Sequence, residues 1–249
     1  MQTLKSLRIL DPCILSQMLE GNLVNISHLY RSVKKNNTLL RTYQNFFAKK
    51  LTVKGKGIDL GAKSIAASYY AHVDMNSVSD MTFVDYFHSG ESIIQMDLEN
   101  EFPIKNDSFD FVFSFNVMEH IYNYHQLLSE TFRVLRCGGR LHGFVPFMVR
   151  YHPDPHDYFR YTKEGLERSL ADAGFIDIEI IPMGGGPFKL AVEQLARIVR
   201  FRSLRFIMFS LGIGLDRLIA MKSSQNPSYS LGFYFTGVKS VKCEGVDCE

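Results

Sequence analysis

From about residue 53 onward, short apolar runs alternate with amphipathic stretches, and the apolar spacing switches between that of a strand and that of a helix. The strand-like runs are "GIDLG", "MTFVDYF", "SIIQMDL", "FDFVFSF", "RLHGFVPF", "FIDIEIIP" and "YSLGFYFTGVK". Between the fourth and fifth, "HQLLSETFRVLRCGG" predicts a helix with Leu128, Phe132 and Leu135 on one side. Arg133 and Arg136 suit its C-terminal end, and Gly138 stops it. "TKEGLERSLADAGF" predicts another helix, capped by Thr162, with Leu166, Leu170 and Ala173 inward and Gly174 after its end. Alternation of this kind predicts an α/β fold: a mostly parallel sheet with both faces covered.

Residues 1–50 read differently, as a helical extension. Asp11-Pro12 is a helix start ahead of "CILSQMLEGNL", and "LVNISHLYRSVKK" and "TLLRTYQNFFAKK" follow with apolar residues at helical spacing. They predict a cap on the main domain or a contact between subunits, which makes a homodimer one expectation. The main domain is expected over 51–242, with a helical insertion at about 184–222 and a tail at 243–249. Within the insertion, Arg197, Arg200, Arg202 and Arg205 interleave with Ile198, Val199, Phe201, Leu204 and Phe206. Such a helix either covers the substrate side of the sheet or makes a peripheral membrane contact through 190–215.

Composition narrows the classes of partner. The chain has 249 residues, 46% hydrophobic and 22% charged, with a formal net charge of +2. So small an excess gives no bulk phosphate-binding surface, and no nucleic-acid partner is expected. Lys5 and Arg8 interrupt the first apolar residues, so no signal peptide is expected, and the run Phe206–Leu215 is too short to span a bilayer. Four cysteines (Cys13, Cys137, Cys243 and Cys248) form no C-x-x-C pair. Reduced thiols, a cytoplasmic location with or without membrane association, and no metal site are the resulting expectations.

The candidate chemistry sits at strand ends. In an open parallel sheet, ligands bind beyond the carboxyl ends of the strands. Those ends carry Asp59 with Gly61, then Asp85, Asp97 and Asn116. The glycine lets a ligand approach the backbone closely, Asp85 is placed to accept from ribose hydroxyls, and Asp97 from an adenine amine. The loop lacks the G-x-G-x-x-G that holds a pyrophosphate, so a nicotinamide dinucleotide is disfavoured. A ligand with an ammonium, a ribose and an adenine, but no pyrophosphate, fits: S-adenosyl-L-methionine.

Residues 56–182 resemble the class I S-adenosylmethionine-dependent methyltransferases, specifically the UbiE-like methyltransferase type 11 group. The likeness rests on "GIDLGAKS", "MDLENEFPIKNDSFDFVFSFNVMEHI", "ETFRVLRCGGRLHGFVPF" and "YHPDPHDYFRYTKEGLERSLADAGF". The last stretch is similar to members from bacterial surface-polysaccharide gene neighbourhoods. The resemblance implies a Rossmann-like sheet of seven strands, the last antiparallel and inserted between the fifth and sixth. It also implies cofactor contacts from Asp59, Gly61, Asp85, Asp97, Leu98 and Asn116, with Glu119-His120 closing the methionine side. Where the group has D-x-G-x-G, this chain reads D-L-G-A-K-S, with Lys63 in place of the second glycine.

For the reaction itself, "VRYHPDPHDYFRYT" follows the fifth strand on the same edge. A hydroxyl acceptor must lose a proton near the transition state, and histidine is poised to take it. His156 is the expected general base, oriented by Asp157 or Asp154, with His152, Tyr158 and Arg160 as substrate contacts. An ion pair between Asp157 and Arg160 that merely stiffens the loop is the competing reading. The function expected is methyl transfer to a small polar acceptor, most plausibly a sugar hydroxyl of a glycan. A methyltransferase-fold protein acting as a binding or assembly subunit is the alternative.

Overall fold

The computed structural model describes residues 24–62, 64–219 and 229–240. The expected helix after Asp11-Pro12, and Lys63, lie outside them. Two helices, α1 (Ile26–Lys34) and α2 (Leu39–Ala48), precede β1 (Thr52–Leu60), β2 (Asp74–Asp85), β3 (Ile93–Gln95) and β4 (Phe109–Phe115). A single turn of 3₁₀-helix (Met118–His120) leads to α3 (Tyr124–Val134), β5 (Leu135–Pro146), α4 (Lys163–Asp172) and β6 (Phe175–Met183). Then come α5 (Pro187–Leu195), α6 (Arg202–Ile219) and β7 (Gly232–Lys239). The strands form one seven-stranded sheet in the order β3-β2-β1-β4-β5-β7-β6. Only β7 runs antiparallel, between β5 and β6, as the resemblance implies.

Strand alternation divides the core between the two faces. Ile58, Leu60 and Val112 pack with Leu127 and Leu128 of α3 and Leu166 and Leu170 of α4. Phe111, Phe113 and Phe115, the alternate positions of β4, face the other way, against Tyr69, Phe144 and residues of α1, α2 and α6. Their rings lie 5.1 and 4.7 Å apart in succession, a ladder of aromatic contacts down one strand. Residues 64–73 run as turns and bends, so no helix lies between β1 and β2 among the described residues; the N-terminal extension and the insertion share that face.

Buried capping contacts weld those two segments together. Glu193 of α5 accepts the Leu39 N–H at 2.7 Å, serving a free donor in the first turn of α2. Asp216 of α6 does the same for α5, accepting from Phe188 N and Lys189 N at 3.0 and 2.8 Å. Arg205 reaches back to Asn36 and to the Asn37 carbonyl.

Three expectations need correction. The predicted helix over 125–139 ends at Val134, and Leu135–Gly139 open β5 instead. Leu135 pairs with Phe109, and Gly138 at φ +77° takes up the irregularity before Arg140 pairs with Phe111. The insertion is two helices rather than one. On α6, Phe209 and Ile213 are buried, while Leu204, Ile207, Leu211, Leu215 and Leu218 form an exposed apolar stripe. Among the described residues no helix is long and apolar enough to cross a membrane. Finally, Cys137 is disulfide-bonded, against the expectation of reduced thiols.

Candidate functional site

The sheet brings the strand-end residues to one edge. Asp59 is the penultimate residue of β1, Asp85 the last of β2, Asp97 lies two residues beyond β3, and Asn116 directly follows β4. Each has a distinct local role. Asp59 is 1% exposed, on the opposite face of β1 from Ile58 and Leu60. The Tyr69 and Tyr70 hydroxyls both donate to its Oδ2 at 2.6 Å, while Oδ1 is buried with no hydrogen-bond partner. Burial pushes this carboxyl up to about 7. Gly61 sits at φ +94°, and a Cβ there would lie 2.8 Å from Val117 Cγ2. Asp85 Oδ1 accepts from the Phe87 and His88 amides and lies 2.5 Å from His88 Nδ1. Asp97 accepts from Glu99 N and the Asn100 side chain, and Leu98 is buried beside it.

These residues suit S-adenosyl-L-methionine in kind. Asp59 Oδ1, buried and without a hydrogen-bond partner, is an acceptor that an ammonium would satisfy. Gly61 turns the chain beyond β1 in a conformation that favours glycine, with Val117 filling the space of a side chain. Asp85 and Asp97 are carboxylates at neighbouring strand ends, acceptor-only when ionised.

Beside them, beyond the ends of β4 and β5, opens a polar cavity of about 430 Å³. Its wall includes Arg41, Gln44, Asn116, His120, Arg150 and His152, with Glu193 and Arg197 from α5 and the turn after it. Burial lowers the Arg41 guanidinium from its ordinary range. Asn116 adopts φ +57° and exchanges side-chain amide hydrogen bonds with Gln44.

The loop after β5 divides into two groups. His152 faces the cavity; its Nε2 is 3.8 Å from Glu119 Oε1, and that carboxylate holds the imidazole above the ordinary histidine range. His156 does not line the cavity. Its ring is exposed and lies 5.3 Å from the Tyr158 ring, and only its backbone carbonyl turns inward, to His120 Nδ1. Asp157 does not orient the His156 ring as expected. It pairs with Arg160 at 2.5 and 2.7 Å and accepts the His152 N–H, and Arg160 holds it down at about 2. The stiffening ion pair is therefore present. Tyr158 anchors the loop by donating its N–H to the Glu119 carbonyl, with its ring near Tyr122.

Sequence reasoning did not single out Arg41, Gln44, Tyr69 or Tyr70, because nothing in a helical spacing or a turn marks which side chain will meet a distant strand end. Glu119 entered only by family likeness. A glutamate followed by histidine just past a strand was the available signal.

Comparison with known proteins bears on the fold and the cofactor class. Residues 53–142 match the family model described as "Methyltransferase domain". Two probable S-adenosylmethionine-dependent methyltransferases, from two strains of Mycobacterium tuberculosis, are each 30% identical over 93 residues. That match covers 35% of this chain and 34% of each relative, so the chain spans about a third of their length. Among solved structures, the putative methyltransferase of Haloferax volcanii in complex with the Trm112 activator superposes with a TM-score of 0.51 at 15% identity. It covers 85% of this chain and 93% of that one. The [4+2]-cyclase SpnF gives 0.52 at 15% identity, covering 91% and 95%. Phosphoethanolamine N-methyltransferase 2 of Haemonchus contortus, bound to phosphomonomethylethanolamine and S-adenosylhomocysteine, gives 0.50 at 17%, covering 90% and 59%. At such identities these structures speak for the fold alone. The fold is thus the Rossmann-like one of the methyltransferases, residues 53–142 match their domain model, and S-adenosyl-L-methionine is the cofactor these comparisons support.

Proposed function

We propose that the chain is an S-adenosyl-L-methionine-dependent methyltransferase acting on an oxygen-rich small acceptor, a sugar hydroxyl of a glycan or surface polysaccharide being the reading the cavity suits best. The observation that carries it is the adjacency of two features on one sheet edge. The strand-end set Asp59, Gly61, Asp85, Asp97 and Asn116 lies beside a polar cavity, and Asn116 belongs to both. The cofactor, when bound, supplies an electrophilic methyl group. Asp59 Oδ1 would meet its ammonium, Asp85 its ribose and Asp97 with Leu98 its adenine.

The residues of this chain supply position and charge. In-line displacement depends mostly on holding the reacting atoms in line. Gln44 and Asn116 offer donors and acceptors to acceptor hydroxyls, while Arg41, Arg150 and Arg197 suit an anionic substituent such as a phosphate or carboxylate. We place the acceptor's deprotonation at Glu119, His120 and His152 rather than at His156, because the two histidines of that cluster face the cavity. Asp157 and Arg160 act as positioning residues for His152. The exposed stripe of α6 is where contact with a membrane surface or a second copy would be made.

The test is calorimetry with S-adenosylhomocysteine, followed by labelled-methyl transfer to fractionated acceptors. Saturable binding and label in a carbohydrate fraction support the proposal. Absence of binding would favour the alternative, a methyltransferase-fold binding or assembly subunit. One observation favours that alternative: two tyrosine hydroxyls already occupy Asp59 Oδ2.

A further inference from the structure

Glu119 is completely buried, at 0% exposure, yet neither carboxylate oxygen has a hydrogen-bond partner. A buried carboxylate left in that state is strongly disfavoured unless a cation or a donor meets it. Two imidazoles face it. His120 Nε2 lies 3.7 Å and His152 Nε2 3.8 Å from Glu119 Oε1, and one ligand atom from each of the three residues falls within 4.8 Å of the others.

The outer contacts of both rings point the same way. His120 Nδ1 is 2.5 Å from the His156 carbonyl, and His152 Nδ1 is 3.0 Å from the Arg150 carbonyl. Arg160 Nη2, 3.3 Å from the latter nitrogen, is already committed to Asp157 Oδ2 and the Arg150 carbonyl. An imidazole that donates its Nδ1–H to a carbonyl presents Nε2 as a bare lone pair. This is how metal-ligating histidines are commonly fixed. With both rings neutral, two such lone pairs and a carboxylate converge on one point.

We propose that Glu119, His120 and His152 bind one divalent transition-metal ion through a carboxylate and two imidazoles. Adjacent ligands around such an ion stand roughly 3.0–3.4 Å apart, given bonds of about 2.0–2.1 Å. The two Glu119–histidine separations need to close by a few tenths of an ångström, and the two imidazoles, their ring centres 5.4 Å apart, must draw together further, which a half-exposed loop histidine and a 3₁₀ turn allow. Imidazole ligands favour zinc, iron, nickel or copper over magnesium and calcium, which prefer oxygen alone. Three protein ligands leave positions open, and both histidines line the cavity, so an oxygen of the acceptor would complete the shell. The proposal departs from the expectation of no metal site. Binding of the ion stands on geometry alone; its service to an acceptor rests on the methyl-transfer reading.

The test uses Co²⁺ as a probe. The chain is stripped with chelator and titrated with Co²⁺, followed by calorimetry and visible absorption. One ion per chain, with absorption bands of nitrogen- and oxygen-ligated cobalt and displacement by Zn²⁺, is expected. Glu119→Gln, His120→Ala and His152→Ala should each weaken binding by at least about tenfold, while His125→Ala, at an exposed position on α3, leaves it unchanged. Circular dichroism checks each variant's fold, and His152→Ala keeps the test open should the buried Glu119→Gln unfold. No saturable Co²⁺ binding, or binding indifferent to His152→Ala, overturns the proposal. S-adenosylhomocysteine calorimetry on the metal-free chain separates its failure from failure of the methyltransferase reading.

Discussion

Gln44 donates its side-chain amide to Asn116 Oδ1 at 2.6 Å, and Asn116 offers its own amide to Gln44 Oε1 at 3.4 Å. This reciprocal pair fastens the N-terminal extension to the end of β4, at the border of the cofactor edge and the acceptor cavity. Asn116 makes the contact from a left-handed backbone, at φ +57°. Asparagine tolerates that region far better than a β-branched residue. Asn116→Val should therefore destabilise the chain by about 1–3 kcal/mol, and Asn116→Gly by less. Thermal melting that ranks Val level with Gly would show that the backbone is unstrained there.

Asp59 makes cofactor affinity depend on pH. Its carboxyl is raised to about 7 by burial, so below neutrality it is largely protonated and cannot offer a charge to an ammonium. Affinity for S-adenosylhomocysteine should rise between pH 5.5 and 7.5, and Asp59→Asn should bind weakly at every pH with that slope removed. The stability effect has the opposite sign. A folded-state pKa above the unfolded value means that this group's contribution is fully present below about 4 and is lost as pH climbs through about 7. Calorimetric titration across the range, beside melting temperatures, checks both.

At Gly61, the added methyl of Gly61→Ala meets Val117 Cγ2 at 2.8 Å from a backbone at φ +94°. Both strain and crowding oppose it. A loss of about 1–3 kcal/mol in stability is expected, with weaker S-adenosylhomocysteine binding. The double variant Gly61→Ala with Val117→Ala relieves the crowding and keeps the backbone strain, so it should recover only part of the stability.

Glu130 and Arg133 clamp the loop between β3 and β4 onto α3. Glu130 accepts the Phe102 N–H at 2.6 Å, and Arg133 donates to the Phe102 and Ile104 carbonyls. Arg133 holds the Glu130 carboxyl below its ordinary range. The depressed pKa means that the clamp's contribution is present above the unfolded value and is lost as pH falls through the folded one. Glu130→Gln should lower stability at neutral pH and flatten the acid limb of the melting profile, measured from pH 7 down to 3.

On α6, Leu211→Glu in the middle of the exposed stripe should abolish sedimentation with anionic vesicles at low salt, if the helix contacts a membrane surface. A wild-type chain that stays in the supernatant removes that reading. Sedimentation velocity on the same pair of proteins tests self-association by the same face.

The sheet was legible because apolar runs of strand length carry their own punctuation, and the strand-end acids followed directly from it. Thr162 was legible as a helix cap for the same local reason: its side chain accepts from Gly165 N at 3.1 Å. What escaped was everything decided by distant partners. Leu135–Gly139 have the pattern of a helix end, and only the pairing of Leu135 with Phe109 and of the following Arg140 with Phe111 draws them into a strand. His156 and His152 are equivalent in sequence, four residues apart in one loop. The Asp157–Arg160 pair, by seizing the His152 backbone, decides which of them faces inward.

The Glu193 cap on α2 has a consequence along the chain. The cavity wall needs residues 36–44, then 116–154, then 193–197, so its contacts span most of the chain. Strands β1 to β5, with the cofactor acids at or just beyond their ends, lie within residues 52–146. Thr38 caps the first turn of α2 locally, but the Leu39 N–H takes its partner from a carboxylate 154 positions downstream. Closures between residues so far apart in the chain carry a loop-closure entropy that local contacts do not. The residues of the edge that would hold the cofactor thus precede in the chain the last of those that wall the chamber for its acceptor.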